Sequence, residues 1–190
     1  MAAMPVPHLF TVAEYVALGE IESGYAELQE GHLIMSPSPA VDHNIASGEL
    51  LLQLAPHVPP DFRLVQDIDV NLELAEPEQP GFVRRPDLVV VRRDAVRRVK
   101  GGKGLLRASD VVLAVEIVSP GSRRTDYMIK RAEYADAGIP NYWIIDLDPP
   151  VSLVVCHLAG EFGYQDATAV TGEFTTTIPF PLTVHVDRLD

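Results

Sequence analysis

Two carboxylates on predicted strands are the residues of this sequence best suited to chemistry. Glu116 lies inside the otherwise apolar run Val111–Val118, a pattern typical of a buried strand. A buried carboxylate needs a cation, a metal or a proton as its partner, so Glu116 is either a structural acid paired with an arginine or a metal ligand. Asp87 follows Pro86 where an apolar strand begins, and alone it could be a strand-capping or turn residue. On neighbouring strands, both carboxylates could bind one divalent cation, and hard oxygen ligands suit Mg²⁺.

Lys130 could bring a positive charge to the same place. In the helix predicted after Glu116, Asp126, Lys130 and Tyr134 recur every four residues and therefore share one face. An ordinary surface pair of Asp and Lys has the same spacing. Because residues 119–125 return the chain directly from the Glu116 strand to this helix, Lys130 could instead point towards a metal and stabilise charge on a phosphate.

Glu27 and His43 carry weaker signals. Glu27 alternates with Tyr25 and Gln29 in a predicted hairpin strand, so it could belong to an acidic site or face solvent. His43 lies near the start of a predicted helix, where it is either an ordinary surface histidine or a contact for a phosphate or a water. The sequence has no Walker loop, no Gly-x-Ser-x-Gly and no zinc-type Cys/His spacing. The two carboxylates and the lysine remain the best chemical constellation.

The elements that must position these residues are predicted to be helices and strands around a central mixed sheet. Thr11 and Glu14 form a capping box at the start of the first helix. The patterns predict a hairpin over residues 25–35, helices over 41–55 and 125–137, and strands within 62–74 and over 88–91, 111–118, 142–147, 152–158, 164–169 and 174–178. The polar, glycine-rich residues 92–107 are predicted as a mobile loop. We therefore expect one α+β (mixed α/β) domain over residues 1–190.

Charge is unevenly distributed along the chain. The net charge of −12 argues at first against a nucleic-acid partner. Residues 84–131, however, hold 13 of the 15 basic residues and five acids, a net charge of +8, and the remainder carries −20. This segregation could form a basic footprint for nucleic acid or a solvated segment paired with acidic neighbours. The sequence does not decide between them.

Composition indicates a cytoplasmic protein without a membrane span. No run approaches the roughly 18 apolar residues that cross a bilayer, and the N-terminus lacks the pattern of a signal peptide. Cys156 is the single cysteine, which precludes an internal disulfide, and its apolar surroundings predict a small core residue.

Several motifs together resemble the Uma-two family of restriction endonucleases, within the PD-(D/E)xK superfamily. The motifs are Tyr25-Ala-Glu-Leu-Gln-Glu-Gly-His-Leu, Met35-Ser-Pro-Ser-Pro, Arg85-Pro-Asp-Leu-Val-Val-Val, Val115-Glu-Ile-Val-Ser-Pro-Gly-Ser-Arg-Arg-Thr-Asp and Lys130-Arg-Ala-Glu-Tyr-Ala-Asp-Ala-Gly-Ile-Pro-Asn-Tyr-Trp-Ile-Ile-Asp146. The likeness runs from about Phe10 to Asp148. The lysine of the broad signature would stand at Val118, and the resemblance assigns that part to Lys130 instead.

The resemblance implies a restriction-endonuclease-like core and Mg²⁺-dependent hydrolysis of DNA phosphodiester bonds, with Mn²⁺ as a substitute. Asp87 and Glu116 would hold the metal, with Glu27 as a further acidic member. Lys130 would stabilise charge or orient the attacking water, Asp126 would position Lys130, and His43 would contact phosphate or water.

The resemblance also bears on partners. The residues expected to contact the DNA backbone are Arg84, Arg85, Arg123 and Arg124. A homodimer is a further expectation, with the apolar strands beyond Pro150 as its interface. Two alternatives stay open: a non-catalytic binding module that keeps the nuclease fold, and a metal hydrolase that does not act on nucleic acid.

Overall fold

The computed structural model of this protein describes residues 7–19, 24–36, 38–102, 104–119 and 121–190. Pro37, Lys103 and Pro120, which belong to the motifs and the basic segment above, lie outside the described residues. The helices are α1 Val12–Leu18, α2 Val41–Leu54, α3 Arg93–Val99, a π-helix at Thr125–Lys130 and α4 Arg131–Asp136. The strands are β1 Tyr25–Gln29, β2 His32–Ser36, β3 Phe62–Gln66, β4 Val70–Asn71, β5 Val83–Arg84, β6 Leu88–Arg92, β7 Leu106–Arg107, β8 Val111–Val118, β9 Asn141–Asp146, β10 Ser152–Leu158, β11 Tyr164–Asp166, β12 Glu173–Thr176 and β13 Leu182–His185.

A six-stranded mixed sheet forms the centre of the fold, with the strand order β11-β10-β9-β8-β6-β3. Strand β8 pairs antiparallel with β6 and parallel with β9. Both backbone edges of β8 are therefore bonded, and both of its faces are covered. This position explains why the sequence of β8 is apolar throughout apart from Glu116. The mixed sheet flanked by helices confirms the expected α+β fold.

The two faces of this sheet contribute to different parts of the core. Val115 and Ile117 of β8 pack with Leu50 of α2 and with Trp143, whereas Ala114 and Val118 pack on the opposite face with Tyr134 of α4. Because side chains alternate along a strand, Glu116 lies on the face of Ala114 and Val118, as the sequence predicts. That face meets α4 and the π-helix before it.

A second sheet joins the first one beside Asp87. Its five strands have the order β2-β1-β5-β4-β7. The chain leaves β5 at Arg84, passes through Arg85 and Pro86, and enters β6 of the central sheet directly after Asp87. Asp87 therefore lies at one of the covalent connections between the two sheets.

The predicted hairpin, the second helix and the strands at Val111–Val118 and Ser152–Leu158 are confirmed, but other assignments were wrong. Residues 93–99, predicted as a loop, form helix α3, in which Ala95 is buried against β6 and β7. The predicted continuous α-helix over 125–137 begins instead as a π-helix. Strand β13 was not predicted, because Pro179 and Pro181 obscure its apolar pattern.

The strands beyond Pro150 contribute to the core of the chain itself. Leu153 and Cys156 of β10 and Leu182 and Val184 of β13 are all buried, so the expectation for Cys156 is confirmed. These side chains are not available as the dimer interface that the sequence suggested. No helix in the described part of the chain is both long enough and apolar enough to cross a membrane.

Helix α2 packs on the central sheet with one face only. We therefore expect substitutions of two of its leucines to differ sharply in their effect on the free energy of unfolding. Leu50 is fully buried and Leu52 is 68 % exposed. We expect Leu50→Ala to lower the free energy of unfolding by about 2–5 kcal/mol, as for other buried leucines. Leu52→Ala, the matched control on the same helix, should change it by less than about 0.5 kcal/mol. Denaturant titration of both variants is the measurement, and similar values for the two would contradict this packing.

Candidate active site

A cavity of about 340 Å³ opens where the two sheets and the π-helix meet. The six residues predicted to be catalytic all line it: Glu27, His43, Asp87, Glu116, Asp126 and Lys130. They come from β1, α2, the β5–β6 junction, β8 and the π-helix. The structure thus brings together side chains that are up to about a hundred positions apart in sequence.

Lys130 lies at the centre of the buried carboxylates. Its Nζ is 3.0 Å from Glu116 Oε1, 3.1 Å from Glu27 Oε1 and 3.8 Å from Asp126 Oδ1. Burial alone would lower the pKa of Lys130, but the surrounding carboxylates hold that pKa above its ordinary value. Lys130 is therefore a fixed positive charge in the cavity, and the π-helix directs it towards β8 and β1.

Glu116 is buried and only partly satisfied. Its Oε1 accepts a hydrogen bond of 2.6 Å from the Tyr134 hydroxyl and contacts Lys130. Burial raises the pKa of Glu116 well above its usual range, against the opposing effect of Lys130. Within the described part of the chain, no donor is hydrogen-bonded to its other oxygen, Oε2. Glu116 can therefore offer one carboxylate oxygen to a cation in the cavity.

Asp87 is the strand neighbour of Glu116. Leu88 pairs with Val115 in the antiparallel register of β6 and β8, which sets Asp87 opposite Glu116. The backbone N–H of Ile117 donates to Asp87 Oδ2 at 2.6 Å. His43 Nε2 lies 3.1 Å from Asp87 Oδ1, and this hydrogen bond raises the pKa of His43. The two carboxylates thus share one side of the sheet and one cavity.

His43 presents a second nitrogen with no partner among the described residues. Its Nδ1 is buried and makes no hydrogen bond, although the ring lines the cavity. An unsatisfied buried nitrogen is costly, and because this atom is closed to solvent, a group in the cavity could reach it only if the ring turned. The expected contact of His43 with phosphate or water stays a prediction.

Glu27 contacts both Lys130 and the buried Arg84. Its Oε1 accepts from the Arg85 backbone N–H at 3.0 Å and contacts Lys130, and its Oε2 accepts from Arg84 Nη1 at 2.9 Å. Lys130 and Arg84 lower the pKa of Glu27 against the effect of burial. Its contacts with two fixed cations, Arg84 and Lys130, already compensate its charge without a metal. The contact with Lys130 holds that side chain beside Glu116.

Asp126 borders the cavity from the π-helix. Its Oδ2 accepts a hydrogen bond of 2.5 Å from the Ser122 hydroxyl, and its backbone carbonyl accepts one from Tyr142. Burial raises the pKa of Asp126, and Lys130 lowers it. At 3.8 Å from Lys130, Asp126 contributes charge to the cavity more than a direct hydrogen bond to the lysine.

Arg84 was predicted to contact DNA, and the structure contradicts this. Its side chain is 1 % exposed. Nε and Nη2 donate to the two carboxylate oxygens of Glu133 at 2.6 and 2.8 Å, while Nη1 donates to Glu27. A guanidinium with its donors used inside the core cannot reach a DNA backbone. The error arose because sequence gives the charge of Arg84 but not the face on which it lies.

The other predicted phosphate contacts differ in availability. Arg85 lines the cavity but is bonded to Asp69 at 2.6 Å. Arg123 is half-exposed and pairs with Asp146 and Asp148 at 2.6 and 2.8 Å. Arg124 is exposed and has no carboxylate partner in the described part of the chain.

The wider basic segment does not form one footprint around the cavity. Arg98, Arg107 and Arg131 pair with Asp110, Glu73 and Asp166 respectively. Arg92 and the basic residues of α3 lie at the end of β6 that is distant from Asp87. Of the two interpretations of the segment's charge, the described residues favour pairing with acidic neighbours.

The donor set of the cavity fits one hard divalent cation held by two carboxylates. Across the described ranges, no three His, Cys, Asp or Glu side chains are arranged to hold a metal ion together. Mg²⁺ does not require three, since it is commonly bound by one or two carboxylates and keeps several waters. Asp87 and Glu116 supply such a pair, and the cavity acids outnumber the one lysine that lines it. The residues present are therefore compatible with Mg²⁺ at Asp87 and Glu116.

Sequence reasoning missed three residues that shape this cavity. Tyr134 was seen to share a helix face with Lys130, which was the available signal, but its bond to Glu116 was not predicted. Ser122 fixes Asp126, and Tyr25 lines the rim beside Arg85. Neither has a sequence pattern that would have distinguished it from a loop serine or a hairpin tyrosine.

Comparisons with known proteins agree with the geometry. A family model described as "Putative restriction endonuclease" matches residues 12–185. A crystal structure from Anabaena variabilis, described as a "putative nuclease belonging to DUF820", is similar with a TM-score of 0.70 and 19 % sequence identity, and the alignment covers 95 % of this chain and 97 % of that one. At this identity the likeness shows the fold, which is restriction-endonuclease-like. No curated protein matches the chain.

Proposed function

This chain belongs to the Uma2 family, described as "Putative restriction endonuclease", and from that premise we propose that it is a divalent-metal-dependent endonuclease that hydrolyses DNA phosphodiester bonds. The observation that carries the proposal is that Asp87, directly before β6, and Glu116 of the neighbouring strand β8 line one cavity, with Lys130 Nζ 3.0 Å from Glu116. Two carboxylates and an amine are the groups that a metal-assisted phosphoryl hydrolysis needs.

Asp87 and Glu116 would hold Mg²⁺, or Mn²⁺ in its place. A cation bound there supplies Lewis acidity to a phosphoryl oxygen and lowers the pKa of a water. Ile117 N–H and His43 fix the carboxylate of Asp87, while Tyr134 fixes that of Glu116. These contacts hold the ligands in place before substrate arrives, which is the arrangement that electrostatic catalysis requires.

Lys130 would act on the substrate rather than on the ligands. Its ammonium group can donate to a phosphoryl oxygen as negative charge develops there. Glu27, with Arg84 behind it, keeps Lys130 turned into the cavity. His43 would act through Asp87, since its Nε2 lies 3.1 Å from Asp87 Oδ1.

A non-catalytic nuclease-fold module is the second candidate. The observation in its favour is the pairing of Arg84, Arg85 and Arg123 with carboxylates, which leaves little free positive charge around the cavity for gripping a substrate. The decisive experiment is incubation with supercoiled plasmid and with single-stranded circular DNA in Mg²⁺ or Mn²⁺. Nicking that EDTA abolishes supports the enzyme. Absence of cleavage in both metals would refute it.

The contacts of Glu27 with Lys130 and Arg84 give a separate prediction about metal binding. We expect calorimetry to detect Mn²⁺ binding to the wild type, and no isotherm for the Asp87→Ala/Glu116→Ala double variant. Glu27→Gln should still bind Mn²⁺, with its affinity lowered by about 10- to 100-fold at most. This is the range for residues that do not bind the metal but orient the groups that do. Loss of the isotherm in Glu27→Gln would restore Glu27 as a ligand.

A further inference from the structure

Tyr25 is an aromatic side chain at the rim of the cavity that the proposed chemistry does not use. It opens strand β1, two residues before Glu27, and its ring lines the cavity. The residue is 37 % exposed. An exposed aromatic ring beside a phosphodiesterase cavity is suited to contact a nucleobase, since every base has a flat π-face.

The ring of Tyr25 is held from one side. The Arg85 guanidinium carbon lies 4.8 Å from the centroid of the Tyr25 ring, within the range of a cation–π contact. Arg85 is in turn fixed by Asp69 at 2.6 Å, and Asp69 accepts a second hydrogen bond from the Tyr15 hydroxyl. The ring is therefore backed by Arg85, which Asp69 holds in place.

The charges around the cavity are unfavourable for a closed duplex. Duplex binding depends mainly on neutralising phosphates along both strands. Among the described residues, the Lys and Arg side chains that line the cavity are Arg85 and Lys130, and both are already engaged by carboxylates. Stacking on an aromatic ring supplies binding energy that does not depend on phosphate neutralisation.

We propose that Tyr25 is a stacking platform for an unpaired base, so that the substrate class of this cavity is single-stranded DNA. The proposal rests on the proposed nuclease function, since it names the substrate of the same site. A base stacked on Tyr25 would leave its adjoining phosphate free to enter the cavity beside Lys130. A base kept within a duplex could not leave its stack to reach the ring without unpairing.

The test is fluorescence anisotropy with full-length protein and a fluorescein-labelled DNA of about 12 nucleotides, a length within the usual range of single-strand sites. The same sequence is presented as a single strand and as a blunt duplex, in Ca²⁺. We expect wild type to prefer the single strand, and Tyr25→Ala to weaken single-strand binding by about tenfold, the effect of losing one stacked base. Tyr25→Trp should keep the wild-type affinity.

Phe162→Ala is the matched control, because Phe162 is an aromatic residue that is 75 % exposed and lies outside the cavity lining. It should bind both DNAs as wild type does. Wild type should also quench the fluorescence of a single strand that carries 2-aminopurine, and Tyr25→Ala should not. This quenching reports the stacking of the base directly.

The result separates this proposal from the proposed function. Single-strand preference that requires Tyr25, in a protein that cuts no DNA, would support the platform and refute the nuclease. If the protein cleaves both duplex and single-stranded DNA, and Tyr25→Ala changes neither rate, the nuclease is supported and the stacking platform is refuted. Equal affinity of wild type for both DNAs, or no effect of Tyr25→Ala, overturns the platform.

Discussion

Replacing Glu116 by glutamine should abolish metal-dependent cleavage while the chain stays folded. Glutamine keeps the shape of the side chain and can still accept from the Tyr134 hydroxyl, but it loses the charge that would hold the cation. The Lewis acidity of a bound metal contributes several kcal/mol to such reactions. At about 1.4 kcal/mol per factor of ten, we expect the cleavage rate to fall by at least about 10³-fold.

The fold should tolerate this change because the charge of Glu116 is costly. Its pKa is raised above the ordinary 4.5 by burial, so the folded chain holds this proton more tightly than the unfolded chain does. Above pH 4.5 the charged form therefore subtracts from stability, and glutamine removes that cost. Loss of the contact with Lys130 acts in the opposite direction, so the net change in unfolding free energy should be small.

Single-turnover cleavage in Mn²⁺ and denaturant titration together check this prediction. Glu161→Gln is the matched control, since Glu161 is exposed and lies outside the cavity lining. It should cleave at the wild-type rate. A folded Glu116→Gln variant that cuts DNA within tenfold of wild type would rule out Glu116 as a ligand.

Replacing Arg84 by methionine should destabilise the protein more than any change at the surface. Removing one partner of a buried ion pair leaves the other charge buried without compensation, which lowers the free energy of unfolding by about 3–5 kcal/mol. Arg84 is 1 % exposed and serves both Glu27 and Glu133, so two carboxylates lose a partner at once. We expect the free energy of unfolding to fall by this amount in a denaturant titration.

Arg123→Met is the matched control for Arg84→Met. Arg123 also pairs with two carboxylates, Asp146 and Asp148, but it is 51 % exposed, and exposed pairs contribute about 1 kcal/mol or less. Should Arg84→Met not fold, Arg84→Lys provides the comparison, since it keeps the charge but loses the paired donors to Glu133. Equal losses for Arg84→Lys and Arg123→Met would contradict the buried network.

The fold was predictable where one periodicity dominated. Strand β8 is buried on both faces, and its unbroken apolar run allowed Val111–Val118 to be assigned with correct bounds. Glu116 was conspicuous in the sequence for the same reason, as the one charge in that run. The shared face of Asp126, Lys130 and Tyr134 was likewise readable from spacing.

What sequence could not supply was the partner of each charge. Glu27, Arg84 and Glu133 form one buried cluster, although they lie on β1, β5 and α4. Their pairing depends on how the sheets and the helix are arranged, and local patterns carry no information about that arrangement. Arg84 was therefore expected at a DNA surface, and Glu27 was expected on a metal.

Backbone detail was also hidden where packing overrides local preference. Helix α3 forms in a segment rich in charge and glycine because Ala95 docks against β6 and β7. The π-helix at Thr125–Lys130 has no sequence signature of its own, and such wide turns often occur at functional sites.

The connection through Arg85, Pro86 and Asp87 makes the geometry of the cavity depend on how the two sheets pack together. Glu27 belongs to the smaller sheet and Glu116 to the larger one, and the tripeptide between β5 and β6 is one of the short segments that connect the two sheets. Any partial opening that parts the sheets would separate Lys130 from Glu27 or from Glu116 while most strands kept their hydrogen bonds. Activity should consequently be lost at a lower denaturant concentration than β-strand content is. Loss of activity would then report that the two sheets have separated.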